Sequence, residues 1–184
     1  MNRNGIFIFL LIFTTCLSCE ENVLPKPKAL LRLEYSRPTT ANAETEDFKF
    51  QYNQSARFKK RNSRSLMVEY PEMKAAVFIS YKKVEDNLEQ LITDAERLSY
   101  EHAAKSDDIR ARVYENAEDK VYGTFFEVVG DAASQAQFYV TDSTEHFVTG
   151  SLYFAVKPNY DSIYPAAVYL QNDIGRIMET LRWK

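Results

Sequence analysis

The sequence predicts a mixed α+β domain in which one antiparallel sheet carries two packed amphipathic helices. Segments with alternating or continuous apolar residues predict strands, and two segments with apolar residues every three or four positions predict helices. Short polar turns join the later strands, so consecutive strands should be antiparallel neighbours. Twelve Tyr and twelve Phe against five Gly in 184 residues indicate a well-packed, aromatic-rich core.

The first half of the domain is predicted to be rich in strands. The predicted strands span residues 30–35, 48–52, 66–70 and 75–81. The last of these is apolar on nearly every residue, so we expect a central strand that is covered on both faces. The polar stretch 37–47, which contains Pro38, is expected to be the least ordered part.

A helix is predicted after the fourth strand. Asp86 can cap its start, and Glu89 lies three residues later, as in a capping box. The helix should end near residues 105–106. Its apolar stripe at helical spacing consists of Leu88, Leu91, Ile92, Ala95 and Leu98. This stripe should face the sheet.

Three strands and a second helix complete the predicted domain. The strands span residues 121–129, 135–141 and 147–156. For the last helix, Asp161 is the predicted cap, Pro165 is expected in the first turn, and Gly175 is expected at a close contact with the sheet. Its apolar stripe is Ile163, Ala167, Leu170, Ile174, Ile177 and Leu181. This order of elements resembles the PsbP/Mog1-like fold, an α/β sandwich.

The N-terminus has the pattern of an export signal. Arg3 precedes an apolar run over residues 6–13, which is far shorter than the roughly 20 residues that span a bilayer. Small and polar residues follow, ending in Ser18-Cys19. A small residue before a cysteine is typical of a lipoprotein signal, which is cut ahead of a cysteine that carries diacylglycerol. An ordinary cleaved signal and an uncut short anchor are the alternatives.

Cys19 is the predicted lipidation site, and Cys16 is the competing candidate. Ser18 and Leu17 precede Cys19, whereas the threonines before Cys16 suit the cleavage site less well. The predicted organisation is therefore a signal peptide over 1–18, a lipidated tether over 19–28 and a single domain over 29–184. These two cysteines are the only ones, so the mature chain should have no disulfide, thiol nucleophile or cysteine-based metal site.

Charge argues against binding to nucleic acid. Without the signal peptide, 22 basic and 26 acidic side chains remain, which gives a net charge of −4. The one basic stretch spans residues 57–64. It has two readings, a contact with an anionic surface or a solvated strand edge and turn.

No catalytic, cofactor or metal motif is predicted. The sequence holds two histidines, His102 and His146. A triad of Ser134, His146 and Asp131 is conceivable from residue types alone, but nothing in the sequence brings the three together. Carboxylates such as Asp107, Asp108, Asp142 and Asp161 are explained by turns and caps. The aromatic residues of the second half indicate a core or, as the alternative, a ligand groove.

Residues 121–184 contain specific sequence motifs, namely ASQ (133–135), QFYVTDS (137–143) and KPNYDSI (157–163). Further motifs lie upstream: PKP (25–27), LRLEY (31–35), YP (70–71) and MKA (73–75). In these motifs the chain resembles the gliding-motility lipoprotein GldD family of Bacteroidetes.

The resemblance implies a lipoprotein that gliding motility and the type IX secretion system require. We expect a palmitate-bearing lipid anchor in the cell envelope, in the outer membrane or, as the alternative, in the other membrane. The resemblance also implies contacts with other envelope proteins and carries no enzymatic residues. A lipid- or glycan-binding module and a hydrolase are the alternatives.

Overall fold

The computed structural model describes Tyr35 and residues 39–101, 106–156 and 159–184. The predicted signal peptide, both cysteines, the tether and His102 lie outside the described residues. So does the predicted strand 30–35, apart from Tyr35.

A small three-stranded sheet is built from the two ends of the described chain. It consists of β1 (Thr40–Glu44), β2 (Phe48–Asn53) and β10 (Arg182–Trp183), with β2 in the middle. The prediction that 37–47 lacks order is wrong for β1. This strand pairs antiparallel with β2 from Thr40 opposite Asn53 to Glu44 opposite Lys49, and it buries Ala43. Backbone pairing therefore compensates for its lack of an apolar pattern.

The larger sheet has seven antiparallel strands in the order β3-β4-β5-β9-β8-β7-β6. Their bounds are Arg57–Lys60 for β3, Ser65–Tyr70 for β4, Ala75–Lys83 for β5, Asp108–Asn116 for β6, Val121–Val129 for β7, Ser134–Thr141 for β8 and His146–Phe154 for β9. The edge-strand reading of the basic stretch is confirmed by β3. Strand β6 was not predicted, because its residues are mostly polar and exposed.

Two helices pack on opposite faces of the seven-stranded sheet. Helix α1 (Leu88–Glu101) and helix α2 (Tyr160–Thr180) confirm the predicted pair. Each predicted N-cap residue is wrong. Helix α1 begins directly after Asn87, and Asn159 caps α2 by accepting a hydrogen bond from the Ser162 N–H.

The two special residues predicted in α2 also differ from expectation. Pro165 lies beyond the first turn of the helix. The predicted contact between Gly175 and the sheet is wrong, because a Cβ placed there would meet nothing within 4 Å.

Each face of the large sheet has its own core. On one face, here called the core face, α2 and the three-stranded sheet bury a large cluster that includes Phe48, Val77, Leu152 and Ile174. On the other face, here called the α1 face, Leu91 packs with Phe126, Tyr139 and Phe147. The mixed α+β class with antiparallel strands is confirmed and is compatible with the sandwich description. The expectation of a single sheet is wrong, since the first and last segments form a second one.

Candidate functional site

The conceivable triad of Ser134, His146 and Asp131 is not assembled. Ser134 opens β8 and lies opposite Tyr153 near the end of β9, whereas His146 opens β9. Seven residues of an antiparallel strand separate these two levels, which is about 24 Å. The Ser134 hydroxyl, which is fully buried, bonds to the carbonyls of Ala136 and Leu152 at 3.1 and 2.9 Å. Ser134 and His146 therefore cannot act on one substrate atom.

His146 belongs instead to an aromatic cluster at the end of the domain that holds the C-terminus. Its Nδ1 lies 2.9 Å from the Tyr81 hydroxyl, and its ring stacks on Trp183 with centroids 5.1 Å apart. Burial, followed by the carboxylate of Asp47, raises the pKa of Tyr81 to about 12. Trp183 donates from Nε1 to the Lys120 carbonyl at 2.9 Å. These contacts fasten β10 to the start of β9 and to the turn before β7.

Asp142 organises that turn. Its Oδ1 accepts hydrogen bonds from the backbone N–H groups of Thr144, Glu145 and His146 at 2.8–3.0 Å. Burial alone would raise the pKa of this carboxyl, but the three N–H donors and the Thr144 hydroxyl outweigh it and hold the pKa at about 2. Asp142 is thus a structural anion, as the turn reading of the sequence expected.

A buried carboxylate, Asp173, joins α2 to the small sheet. Its side chain is 3% exposed and accepts from Asn53 Nδ2 at 2.7 Å, with Arg176 Nη1 at 3.5 Å. Burial raises the pKa of Asp173, although the Asn53 bond and the Arg176 charge oppose the shift. Sequence reasoning missed this residue. Its position in the sequence could have indicated its burial, because it follows Leu170 by three residues and precedes Ile177 by four, which places it on the buried side of the helix.

An open apolar concavity of the α1 face lies over β4, β5 and the end of β9. It measures about 540 Å³, and its floor is made by the half-buried side chains Met67, Ala76, Phe78 and Tyr153. The rings of Phe78 and Tyr153 meet edge to face, with centroids 5.8 Å apart. We call this surface the bare strip, because none of the described helices covers it.

Cations surround the bare strip. Arg61 places its guanidinium over the Phe78 ring, 5.8 Å from the centroid. Lys59 pairs with Glu69 at 2.6 Å, and Glu69 lines the strip. The pairing registers and lining contacts add Arg57, Lys74 and Lys82 to the same face. The strip therefore combines an aromatic floor with a positively charged rim.

Neither a membrane-spanning helix nor a metal-binding cluster is found in the described part of the chain. In the described ranges, no helix is long and apolar enough to cross a membrane. The same ranges hold no group of three or more His, Cys, Asp or Glu residues suited to a metal ion. A comparison with the curated proteins gave no match.

A protein-family model described as the gliding motility lipoprotein GldD matches residues 20–183 of the 184-residue chain. This family implies a role in gliding motility and a lipid-anchored location in the cell envelope. Because the match spans nearly the whole chain, the protein belongs to the GldD family of gliding motility lipoproteins.

Proposed function

We propose that this protein is a non-enzymatic component that assembles or stabilises the gliding motility machinery and the type IX secretion machinery associated with it. The observation that carries the proposal is the family match over residues 20–183. Ser134, His146 and Asp131 each serve a local structural contact, which supports a role through protein contacts.

The proposed anchor is a diacylglyceryl lipid on Cys19, completed by a fatty acid such as palmitate, in the outer membrane. Residues 1–18 are the proposed signal peptide, 19–28 the tether and 29–184 the domain. A buried acyl chain contributes about 0.8 kcal/mol per methylene, and a single chain holds only marginally. Two or three chains would keep the domain permanently at the membrane surface, where its partners are envelope proteins.

A deletion strain complemented with variants tests the proposal. Loss of the chain should abolish spreading and secretion, and the unsubstituted chain should restore both. Cys19→Ala should give a folded protein that is released from the membrane and fails to complement. Cys16→Ala is the matched control and should complement fully. If these two variants exchange behaviour, the lipidation site is Cys16.

The same strain separates a contact role from catalysis. Ser134→Ala, Asp131→Ala and His146→Ala remove the only triad that the sequence suggested. Full complementation by each folded variant is expected. Loss of motility in all three, with normal protein levels and normal unfolding temperatures, would support the hydrolase alternative.

The second candidate function is binding of an envelope lipid or glycan, and the bare strip favours it. Its floor of Phe78, Tyr153 and Met67 offers an aromatic platform beside the guanidinium of Arg61. Titration of the protein with phosphatidylglycerol vesicles and with soluble oligosaccharides tests this role. Binding that Phe78→Ala abolishes would establish it, and absence of binding to both ligand classes would remove it.

A further inference from the structure

The bare strip has the width of one more helix beside α1. Helix α1 lies over β8, where Ser99 Oγ approaches Gln137 Oε1 at 3.4 Å. Strand β9 separates β8 from β5, the strand beneath the bare strip. Two spacings between strands are about 9.6 Å. This equals the 8–10 Å between the axes of packed helices, so a helix over β5 would lie in contact with α1.

Helix α1 and the bare strip both leave apolar groups in contact with solvent. Leu98 and Tyr100 of α1 are 44% and 55% exposed. Leu98 lies on the side of α1 that faces β9 and β5, since it lines one hollow with Thr149 of β9 and Lys82 of β5. The strip exposes parts of Phe78 and Met67. Each surface thus has an apolar centre that the described residues do not cover.

The two surfaces carry opposite charges. Helix α1 has four acidic residues and one arginine, a net charge of −3; they are Glu89, Asp94, Glu96, Glu101 and Arg97. The strip has four cations and one carboxylate, a net charge of +3; they are Arg57, Lys59, Arg61, Lys74 and Glu69. An acidic helix with exposed apolar side chains is therefore the complementary occupant, and this chain supplies one.

We infer that the α1 face binds a second copy of this chain, with α1 of each copy lying in the bare strip of the other. The two copies are related by a two-fold axis that runs above β9, parallel to this strand. The axis exchanges the two helix positions, so that α1, which lies over β8 of its own copy, comes to lie over β5 of the other. Both helices then lie in one layer between two sheets. The interface is isologous, and it closes after two copies. Leu98 of each copy comes close to the axis.

The N-terminal segment of the same chain is a poorer occupant. Tyr35 stacks on Tyr169 of α2, with ring centroids 4.8 Å apart, so the chain arrives at the domain beside α2, on the core face. Residues 19–34 carry three basic and three acidic side chains, a net charge of zero, whereas α1 has a net charge of −3. Position and the opposite charge of α1 therefore both favour a second copy.

A cysteine at the axis tests the inference in the full-length protein in its own membrane. Leu98→Cys places one thiol of each copy near the axis, and the only other cysteines are Cys16 and Cys19. Val113→Cys is the matched control, because Val113 is 75% exposed on the outer strand β6. Mild oxidation should give a disulfide-linked dimer from Leu98→Cys, at least about tenfold above the control and above the unsubstituted chain.

Charge reversal within the Leu98→Cys protein makes the test specific. Arg61→Glu should reduce the dimer at least about tenfold, because it places a carboxylate against the acidic helix. Arg112→Glu is the matched control and should change nothing, since Arg112 also stacks on a phenylalanine, Phe125, at 5.1 Å, but on the core face.

Equal dimer yields from Leu98→Cys and Val113→Cys would overturn the inference. A Leu98→Cys product whose mass is not that of a dimer would also overturn it, because it would identify another protein as the occupant. An undiminished dimer in Arg61→Glu would contradict the charge argument. None of these outcomes depends on the proposed motility role.

Discussion

Gly150→Ala is expected to destabilise the domain through a single side chain. Gly150 lies in β9 opposite Phe138 of β8, and both residues are buried on the core face. A Cβ at position 150 would lie 2.1, 2.5 and 2.9 Å from three atoms of the Phe138 ring. Ordinary contacts are about 3.4–4 Å, so the ring must move by more than about 1 Å within a close-packed core.

The size of this effect follows from the surroundings of Phe138. Overpacking a core costs about 1–3 kcal/mol, and a rigid ring that is 2% exposed places this site at the upper end. Alanine recovers about 0.5–1 kcal/mol of backbone entropy relative to glycine. The net loss is therefore about 2 kcal/mol in the free energy of unfolding. For a chain of this length, it corresponds to a fall of about 4–8 °C in Tm.

Gly175→Ala is the matched control, because a Cβ there meets nothing within 4 Å in the middle of a helix. It should stabilise the protein by about 1 kcal/mol. Urea unfolding of the detergent-solubilised chain, followed through its single tryptophan, Trp183, measures both variants. A free energy of unfolding for Gly150→Ala within about 0.5 kcal/mol of the unsubstituted protein would refute this packing effect. Phe138→Leu in the Gly150→Ala chain should recover part of the loss.

Three further predictions concern buried and anchoring polar groups. Asp142 has a pKa of about 2, against 3.8 in the unfolded chain. Its ionised carboxylate therefore stabilises the fold above pH 4, and this stabilisation is lost as the pH falls toward 2. After allowance for partial exposure, the stabilising free energy is about 1 kcal/mol, so the free energies of unfolding of Asp142→Asn and the unsubstituted chain should converge between pH 4 and pH 2. Asp173 has a raised pKa, so its ionisation lowers the free energy of unfolding as the pH rises above 3.8. Asp173→Asn should remove this pH dependence without weakening the fold at pH 7. Asp173→Ala should lower the free energy of unfolding by about 3 kcal/mol, because Asn53 and Arg176 lose their buried partner; a loss below 1 kcal/mol in a urea titration would contradict this.

Elements with their own apolar pattern were predictable from the sequence. The spacing of Ala167, Leu170, Ile174 and Ile177 predicted the buried side of α2, and all four are at most 1% exposed. Strand β5 was expected to be central and covered on both faces. It does lie between β4 and β9, but the expected cover on both faces is wrong, because Ala76 and Phe78 on its α1 face line the open bare strip. In α2, the apolar pattern alone indicates which side chains are buried.

Elements defined by distant partners were not predictable. Strand β10 has two residues and exists because Arg182 and Trp183 pair with Lys49 and Phe48. Strand β6 was missed for a different reason: its residues are mostly polar and exposed, although all nine pair with β7, the next strand along the chain. The second sheet was missed because its strands come from the two ends of the described chain.

The candidate site was likewise predictable from the sequence only in part. The cations of residues 57–64 and the aromatic strands were recognisable from the sequence, but their meeting on one uncovered face depends on the order of β3, β4, β5 and β9. The buried pair of Asp173 and Asn53 joins residues 120 positions apart. Cys19, the predicted lipidation site, lies outside the described residues and remains a prediction.

Crosslinking in intact cells, followed by mass spectrometry, tests the central claim most directly. We expect crosslinks from this lipoprotein to other envelope proteins of the gliding and secretion machinery, and we expect Cys19→Ala to lose them. Recovery of no envelope partner from cells that glide and secrete normally without the protein would contradict this expectation.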